Sequence, residues 1–453
     1  MTLTFQSLSE FKRYLEPIIK PFNLSNHHLK QRDHGKSLMR INVWGALFCG
    51  LFGVSFIPTA SVALAEALAV QSASNVPSAS SSASTDNTAS ASSLTAPPHA
   101  SNNLQKSTKH PHPFQIFHHS KPKIISLDRF GESDSVKSLA LQIALDQDLP
   151  KDWVINKIAN AHLIPGAVQQ MMPAPVPIKK NWHAYRARFI EPKRIGLGVE
   201  FWKKNAQTLT QAEREYGVPA EIIVGILGVE TLYGQHMGAY PVLDSLATLS
   251  LQFPKEHPRA LERQAFFQNE LAVFLKQQYA DASNTKREVL GSYAGAMGAA
   301  QFMPSSMAKF AVDYDHDGRI DLIHSHKDAI GSIANYFKMF GWQTGVPTRF
   351  EVNLNTPHLD LEGLLLPDIL PTFSAQSFEA KGAILSGEAK NYSGQLALIE
   401  LQNGNDANDY LAGTENFYVV TRYNWSSYYA MAVLDLGEAV KQAYLQKVVA
   451  SKH

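Results

Sequence analysis

The segment from Ala220 to Tyr233 constrains this chain more than any other, because a helix formed by it has almost no polar face. Its apolar side chains surround the helix axis at Ile222, Ile223, Ile226, Leu227 and Val229. Such a helix must be buried, so the chain should fold around it as a helical domain. Pro219 fits the first turn of this helix, and Gly234 ends it.

Glu230 lies near the end of this apolar helix, where a carboxylate is unfavourable unless it is paired or protonated. Desolvation raises the pKa of a carboxyl group, which suits a general acid that works near neutral pH. A structural glutamate bonded to a neighbouring backbone group or arginine would occupy the same position. Helix position alone therefore leaves both interpretations open.

The charge balance and the cysteine content exclude several classes of protein. The 453 residues contain 41 Lys and Arg against 40 Asp and Glu, which gives a net charge of +1. A dedicated nucleic-acid binder carries a strongly basic face, so we expect no nucleic-acid partner. The single cysteine, Cys49, excludes a disulfide framework and the usual cysteine-rich zinc sites.

The N-terminal 70 residues are expected to be an extension that carries a signal or anchor. Residues 41–57 form an apolar run with basic residues before it and small residues after it, which is typical of a secretory signal. An uncleaved membrane anchor is the alternative, although the run is short for a membrane span. Lipid attachment at Cys49 is not expected, because the bulky Leu47 and Phe48 precede it.

Residues 71–121 are predicted to be a disordered linker. They are rich in Ser and Ala, a composition that cannot bury a core. Histidines near the end of this stretch lack a regular metal-site spacing, so a solvated linker explains them better than a metal site does.

The rest of the chain shows mainly helical apolar spacing. Helices are predicted in the first half of 134–170, in 202–216, 259–281, 304–312 and 327–340, and again after Ala430. Strand patterns are concentrated in 348–354, 396–401 and 416–421. We therefore predict a mainly α fold with a helical domain over 122–345, a strand-rich subdomain over 346–424 and a C-terminal helix over 425–453 that returns to the helical domain.

Residues 291–306 are rich in glycine and small residues, which allow close approach of another chain to the backbone. Ser292 and Gln301 in this segment could hydrogen-bond the hydroxyl or acetamido groups of a sugar. The segment does not match the GxxxxGK[ST] pattern, so a phosphate-binding loop is not expected. Taken alone, the pattern could equally be a tight connection between helices.

A second motif, Asp313-Tyr314-Asp315-His316-Asp317-Gly318, matches the first six positions of an EF-hand calcium loop. The ligands expected from it are the carboxylates of Asp313, Asp315 and Asp317 and the backbone carbonyl of Arg319. Position 12 of the loop should be glutamate and is His324 here, but Asp328 follows four residues later and could supply the missing carboxylate. The alternative is an acidic surface turn. We favour a single structural Ca²⁺ site, and we expect no organic cofactor.

Six stretches of the chain together resemble the membrane-bound lytic murein transglycosylase B family. They lie in order within about residues 140–440, and agreement of six motifs in order is highly specific. The stretches are residues 181–190, 217–231, 243–250, 291–306, 313–322 and 421–424.

The resemblance implies a lysozyme-like helical catalytic domain with a small strand-rich insert and one EF-hand-like calcium loop. Family members are peptidoglycan lyases that cleave the β-1,4 bond between N-acetylmuramic acid and N-acetylglucosamine and leave a 1,6-anhydromuramoyl end. The family's catalytic acid falls on Glu230. Its substrate-contacting positions fall on Tyr185, Arg263, Ser292, Gln301, Tyr336, Tyr423 and Asn424, and its calcium ligands fall on Asp313, Asp315, Asp317, Arg319 and Asp328.

The chain departs from the family pattern where two adjacent arginines are common. Here Phe253-Pro254 is followed by a longer segment in which only Arg263, or Arg259, can serve. The sequence therefore does not decide which residues contact the stem peptide of the substrate.

The resemblance implies that Glu230 acts first as acid and then as base, with no external nucleophile. A hydrolase of the goose-lysozyme type and a non-catalytic peptidoglycan-binding scaffold remain as alternatives. The partners expected are the glycan strands and, as candidates, other enzymes of cell-wall synthesis or hydrolysis. We expect a periplasmic monomer, released from its signal or retained at the inner membrane by it.

Overall fold

A computed structural model of the protein describes residues 128–173, 179–281 and 288–450. The predicted signal or anchor and the Ser/Ala-rich linker lie outside these residues. Within the described ranges, none of the helices is both long and apolar enough to cross a membrane.

The described chain is mainly helical and carries small antiparallel sheets, which confirms the predicted fold class. The helices are α1 Asp134–Gln147, α2 Lys151–Asn160, α3 Pro165–Gln170, α4 Trp182–Arg186, α5 Pro192–Tyr216, α6 Ala220–Thr231, α7 Val242–Leu251, α8 Ala260–Ala280, α9 Pro304–Phe310, α10 His326–Met339, α11 Leu361–Leu365, α12 Ala375–Ala380, α13 Glu415–Thr421 and α14 Ser427–Ala450. The strands are β1 Tyr240–Pro241, β2 Leu290–Gly291, β3 Arg349–Phe350, β4 Val352–Asn353, β5 Ile384–Leu385, β6 Ala397–Asn403 and β7 Asp406–Gly413.

The apolar helix α6 lies at the centre of the main hydrophobic cluster, packed by α5, α10 and α14. The approach of α14 is close because both helices carry glycine at the contact. A Cβ atom at Gly225 would lie 2.3 Å from the carbonyl oxygen of Val433, and one at Gly437 would lie 2.1 Å from that of Glu221. Larger residues at these positions would push the two helices apart.

A second hydrophobic cluster joins the N-terminal helices α1, α2 and α3 to α7 and α8. Side chains of α7 accept hydrogen bonds from the backbone that connects α2 to α3. Asp244 Oδ1 accepts from His162 N at 3.0 Å, and Thr248 Oγ1 accepts from Ile164 N at 3.0 Å. These bonds satisfy backbone groups that burial would otherwise leave without partners.

The insert has its own sheet, ordered β3-β7-β6, and its own small hydrophobic cluster. Strands β6 and β7 form an antiparallel hairpin in which Ala397 pairs with Gly413 and Asn403 pairs with Asp406. Three short helices, α11, α12 and α13, also lie between residues 346 and 424. The domain boundaries assigned from the sequence stay a prediction.

The predicted strand at 416–421 is wrong, because these residues form helix α13. Thr414 caps this helix through its Oγ1, which accepts from Asn416 N at 3.2 Å and from Phe417 N at 3.5 Å. A run of apolar and β-branched residues predicted a strand, but the cap starts a helix immediately after β7. The longest strand that the sequence analysis missed is β7, whose first residues are polar.

Candidate active site

The close approach of α6 and α14 brings one hydrogen-bond donor to Glu230. Glu230 is partly buried near the end of α6, and Tyr429 lies in the first turn of α14. The Tyr429 hydroxyl donates to Glu230 Oε1 at 2.5 Å. No cation of the described chain lies within ion-pair distance of this carboxyl group.

Burial raises the pKa of Glu230 to about 7, and the hydrogen bond from Tyr429 opposes that rise. A carboxyl group with this pKa is partly protonated at neutral pH. It can therefore donate a proton and, once ionised, accept another. The geometry supports the acid interpretation of Glu230 over the structural one.

Tyr423 forms the aromatic layer behind this pair. Its ring stacks on that of Tyr429, with centroids 6.4 Å apart and planes 11° apart, and it is only 4% exposed. Its hydroxyl donates to the Ala300 carbonyl oxygen at 2.5 Å. Burial, and then the nearby Glu230, raises the pKa of both tyrosines well above the usual value, so both hydroxyls stay protonated donors.

Ser292 begins the turn of the glycine-rich segment. Its Oγ accepts from Ala294 N at 3.3 Å and from Ala296 N at 3.0 Å. A Cβ atom at the preceding Gly291 would lie 2.3 Å from the Ala296 carbonyl oxygen, so only glycine fits there. The Ser292 hydroxyl hydrogen has no acceptor among the described residues, which leaves it able to donate to a ligand.

Gln301 holds the other end of the same segment in a left-handed backbone conformation with φ 49°. Its Nε2 donates to the Gly298 carbonyl at 2.9 Å and to the Met237 carbonyl at 3.1 Å. No donor from the described chain reaches its Oε1. The side chain therefore fixes the loop and keeps one acceptor for another group.

Asn424 is 1% exposed, yet neither its Nδ2 nor its Oδ1 has a hydrogen-bond partner in the described structure. Buried amides without partners are rare and costly, and they commonly mark a place where a ligand or water binds. Asn424 follows Tyr423 directly, which places this amide next to the aromatic layer.

The two remaining tyrosines predicted to contact sugar differ in their surroundings. Tyr185 is partly buried on α4, with its ring 5.2 Å from that of Phe189 and 6.0 Å from that of Tyr428. Tyr336 is 2% exposed, and its hydroxyl donates to the Arg422 carbonyl at 2.6 Å. Its ring lies 4.9 Å from that of Tyr423, so it supports the aromatic layer from behind. Sugar contact by Tyr336 stays a prediction.

Arg263 lies on α8 in the second hydrophobic cluster rather than around α6. It is 8% exposed, and its guanidinium lies 5.3 Å from the ring centroids of Phe266 and Phe267. Burial and the neighbouring Arg259 lower its pKa. Contact of Arg263 with substrate stays a prediction.

The aspartate-rich loop brings its first three carboxylates together. One carboxylate oxygen from each of Asp313, Asp315 and Asp317 lies within 4.8 Å of the others. Gly318 turns the chain at φ 91°. Oδ1 of Asp315 is buried and has no partner in the described structure, which fits a place for a cation.

Asp328 is not part of this group of three carboxylates. It is 1% exposed, and its Oδ1 accepts from Tyr314 N at 2.8 Å and from Asp315 N at 3.3 Å. Its Oδ2 accepts from Asp321 N at 2.8 Å. Asp328 therefore holds the loop backbone in place, and its role as a ligand stays a prediction.

Tyr429 is the site residue that the sequence analysis missed. Apolar spacing indicated the helix only after Ala430, within the C-terminal segment assigned to 425–453, whereas α14 begins at Ser427. The only available signal was the pair Tyr428-Tyr429 directly before an apolar helix. Its contact with Glu230 joins residues that are 199 positions apart in the chain.

We compared the chain with known protein families and proteins. The family model described as the transglycosylase SLT domain matches residues 131–438. Membrane-bound lytic murein transglycosylase B of Escherichia coli (strain K12) is 42% identical over 269 residues, which are 58% of this chain and 69% of that protein.

Three solved structures, of two proteins, extend the comparison to the fold. The Escherichia coli lytic transglycosylase SLT35 is 35% identical to this chain, and the alignment covers 70% of this chain and 97% of SLT35. The TM-score is 0.60 for its complex with bulgecin A and 0.59 for its complex with calcium. SltB3 from Pseudomonas aeruginosa in complex with NAG-NAM-pentapeptide is 28% identical, with coverage of 68% and 80% and a TM-score of 0.56. Since the family model covers well over half of the chain, the protein belongs to the transglycosylase SLT domain family.

Proposed function

We propose that this protein is a peptidoglycan lytic transglycosylase in which Glu230 is the single acid and base. The observation that carries the proposal is the desolvated Glu230 carboxyl group, to which Tyr429 donates at 2.5 Å and whose pKa burial raises to about 7. Glycosidases that use two carboxylates place them about 5–10 Å apart. The resemblance to the transglycosylase family supplies one such residue, Glu230.

The first step is cleavage of the β-1,4 bond between N-acetylmuramic acid and N-acetylglucosamine. Protonated Glu230 donates its proton to the glycosidic oxygen as the bond to C1 breaks. The 2-acetamido oxygen of the muramic acid residue forms a bond to C1 as the glycosidic oxygen departs, and the Ser292 hydroxyl orients that acetamido group. Tyr429 stabilises the carboxylate that forms on Glu230.

The second step closes the anhydro ring. The Glu230 carboxylate accepts the proton of the C6 hydroxyl, and O6 forms its bond to C1 as the acetamido oxygen leaves. Glu230 is protonated again, and no water is consumed. Sugar contacts are assigned to Tyr185, Gln301, Tyr336, Tyr423 and Asn424, and a contact to the peptide is assigned to Arg263.

The chemistry of the new glycan ends tests this proposal. Purified sacculi are treated with the protein, and the released muropeptides are analysed by mass spectrometry before and after borohydride reduction. We expect ends that are one water lighter than hydrolysis products and resist reduction. Reducible ends would instead identify a hydrolase of the goose-lysozyme type, and binding without release would identify a scaffold.

We also propose that the aspartate-rich loop holds one structural Ca²⁺. Hard oxygen ligands suit this cation, and they come from Asp313, Asp315 and Asp317 with the carbonyl of Arg319. Asp328 is the further carboxylate close to the loop. The ion would fix the loop next to α10 and takes no part in the bond-breaking steps.

Calcium-dependent stability tests this site. At 1 mM Ca²⁺ we expect the wild-type melting temperature to rise by about 5 °C. Asp315→Asn should abolish the rise, whereas Asp406→Asn, at an exposed aspartate of β7, should keep it. Equal rises in both variants would refute the assignment.

The protein is placed in the cell envelope, where its substrate lies, as a periplasmic monomer. The apolar run of residues 41–57 supports export. Whether the signal is cleaved or anchors the chain is tested by the mass of the mature protein in membrane and soluble fractions. Candidate protein partners are other enzymes that build or cut the cell wall.

A further inference from the structure

A pocket of about 160 Å³ lies between the insert sheet, the start of α14 and the segment that leads into α4. Its polar lining comes from Lys180, Asp368, Glu400 and Gln402, and its apolar lining includes Ile369 and Tyr428. None of the residues assigned above to acid–base chemistry, sugar contact or calcium lines this pocket.

Among the described residues, Lys180 and Glu400 of this pocket have no partner of opposite charge. The Lys180 ammonium lies 5.7 Å from the ring centroid of Tyr428 and forms no ion pair within the described chain. Glu400 accepts hydrogen bonds only from neutral donors, the side chains of Gln402, Asn408 and Tyr410, at 2.9–3.0 Å. Asp368 adds a second acid, held in a left-handed backbone conformation with φ 56°.

We propose that this pocket binds the peptide attached to the glycan, through a part of the peptide that carries both a carboxylate and an ammonium group. The inference rests on the proposed function, because it assigns a subsite for the same substrate. Lys180 pairs with the peptide carboxylate, and Glu400 pairs with the ammonium. Of the apolar lining residues, the partly buried Leu365 packs against the apolar side chains of the peptide.

The pocket is close enough to the catalytic residue for one substrate to reach both. Tyr428 forms part of its wall, and the edge of the same ring packs on Tyr185 with centroids 6.0 Å apart. The next residue, Tyr429, donates to Glu230. A pentapeptide extends up to about 17 Å, which is the reach available to a peptide that starts on a sugar beside Glu230.

The hairpin and α4 form a continuous frame around the pocket. Gly404 N donates to the Lys180 carbonyl oxygen at 2.9 Å, and Asn403 Oδ1 accepts from His183 N at 3.2 Å. The same short segment thus carries Lys180 into the pocket and Tyr185 toward the catalytic residue. This arrangement fixes the distance between the two sites.

The arginines near residue 260 are poorly placed for the same task. Arg259 is paired with Glu262, and Arg263 is almost fully covered and packed on two phenylalanine rings. A peptide carboxylate would have to break that pair or uncover that side chain, whereas Lys180 has no ion pair to break.

Calorimetric binding to the full-length chain tests the inference, in a Glu230→Gln background that prevents cleavage. The two ligands are NAG-NAM-pentapeptide with a diamino acid at the third position and the peptide-free disaccharide NAG-NAM. We expect Lys180→Met and Glu400→Gln each to weaken binding of the pentapeptide ligand about tenfold. Their effect on the disaccharide should be less than about twofold. Glu362→Gln, at an exposed residue of α11 in the same insert, is the matched control.

Three outcomes would overturn the inference. The pocket variants could bind the pentapeptide ligand as tightly as the parent, or lose affinity for both ligands equally, or the parent could bind both ligands equally. None of these outcomes bears on the anhydro ends that test the proposed function. Conversely, reducible glycan ends would overturn the proposed reaction. They would not affect a tenfold loss of pentapeptide binding in the pocket variants.

Discussion

Glu230 and Glu270 are both desolvated glutamates, but their surroundings prepare them for different roles. Glu270 is 0% exposed, and Ser305 donates to both of its oxygens, from N to Oε2 at 2.8 Å and from Oγ to Oε1 at 2.6 Å. Glu230 receives one hydrogen bond, from Tyr429 to Oε1, and no described residue donates to its Oε2. Burial raises the pKa of both carboxyl groups. The comparison teaches that a carboxylate oxygen without a donor, rather than burial, distinguishes the proposed acid Glu230 from the structural carboxylate Glu270.

The largest effect is expected when Glu230 is changed. Glu230→Gln should reduce release of anhydro-muropeptides by about 10³-fold, because the amide cannot donate and then accept the proton. Glu221→Gln is the matched control, since Glu221 lies on the same helix and pairs with Lys441. It should retain activity within about twofold. More than a tenth of wild-type activity in Glu230→Gln would contradict the assignment.

Changing Glu270 should affect stability instead. Glu270→Ala leaves the buried Ser305 N–H without its acceptor and opens a cavity, so the free energy of unfolding should fall by about 2–4 kcal/mol. Urea denaturation measures this loss. Glu262→Ala on the same helix should cost less than about 1 kcal/mol, because its ion pair with Arg259 is exposed. A hundredfold loss of activity in folded Glu270→Ala would remove the distinction between the two glutamates.

Tyr429→Phe should change the pH dependence of kcat, because it removes the hydrogen bond to Glu230. The hydrogen bond from Tyr429 lowers the pKa of Glu230, so its removal should raise that pKa further. Because the proposed reaction begins with protonated Glu230, the alkaline limb of the kcat profile should move to higher pH. We also expect about a tenfold lower kcat at pH 7, since the new carboxylate loses its donor. An alkaline limb at the same pH as in the wild type would mean that Tyr429 contributes packing and does not set the pKa of Glu230.

The smallest expected effect is on the pH dependence of stability. Burial raises the folded-state pKa of Glu230 from the ordinary 4.5 to about 7, so the folded state binds this proton more tightly than the unfolded state. Its contribution to stability is complete below about pH 4.5 and is lost as the pH rises to about 7. Glu230→Gln, which does not titrate, should therefore gain about 1–3 kcal/mol relative to wild type between pH 4.5 and 8. Parallel stability curves would show that Glu230 is not desolvated.

Much of the fold could be predicted from apolar spacing. The central helix was predicted over residues 220–233 and observed over 220–231, and the helices predicted at 259–281 and 327–340 were observed within one residue at each end. The strand predicted at 416–421 failed because Thr414 caps a helix there, an effect that one side-chain oxygen decides. The long helix α5 begins ten residues before its predicted start, since its first turns contain two glycines and apolar residues that alternate rather than follow helical spacing.

The sequence by itself determined that α6 is buried, that Glu230 is near its end and that three aspartates converge at a glycine turn. These features depend on residues close together in the chain, where helical periodicity and turn chemistry act locally. Only the tertiary structure decided that Tyr429 donates to Glu230, that Ser305 satisfies Glu270 and that Asn424 is buried without a partner. The reason is physical: the pKa of a carboxyl group depends on desolvation and on the donors around it, and packing supplies these from residues far apart in sequence.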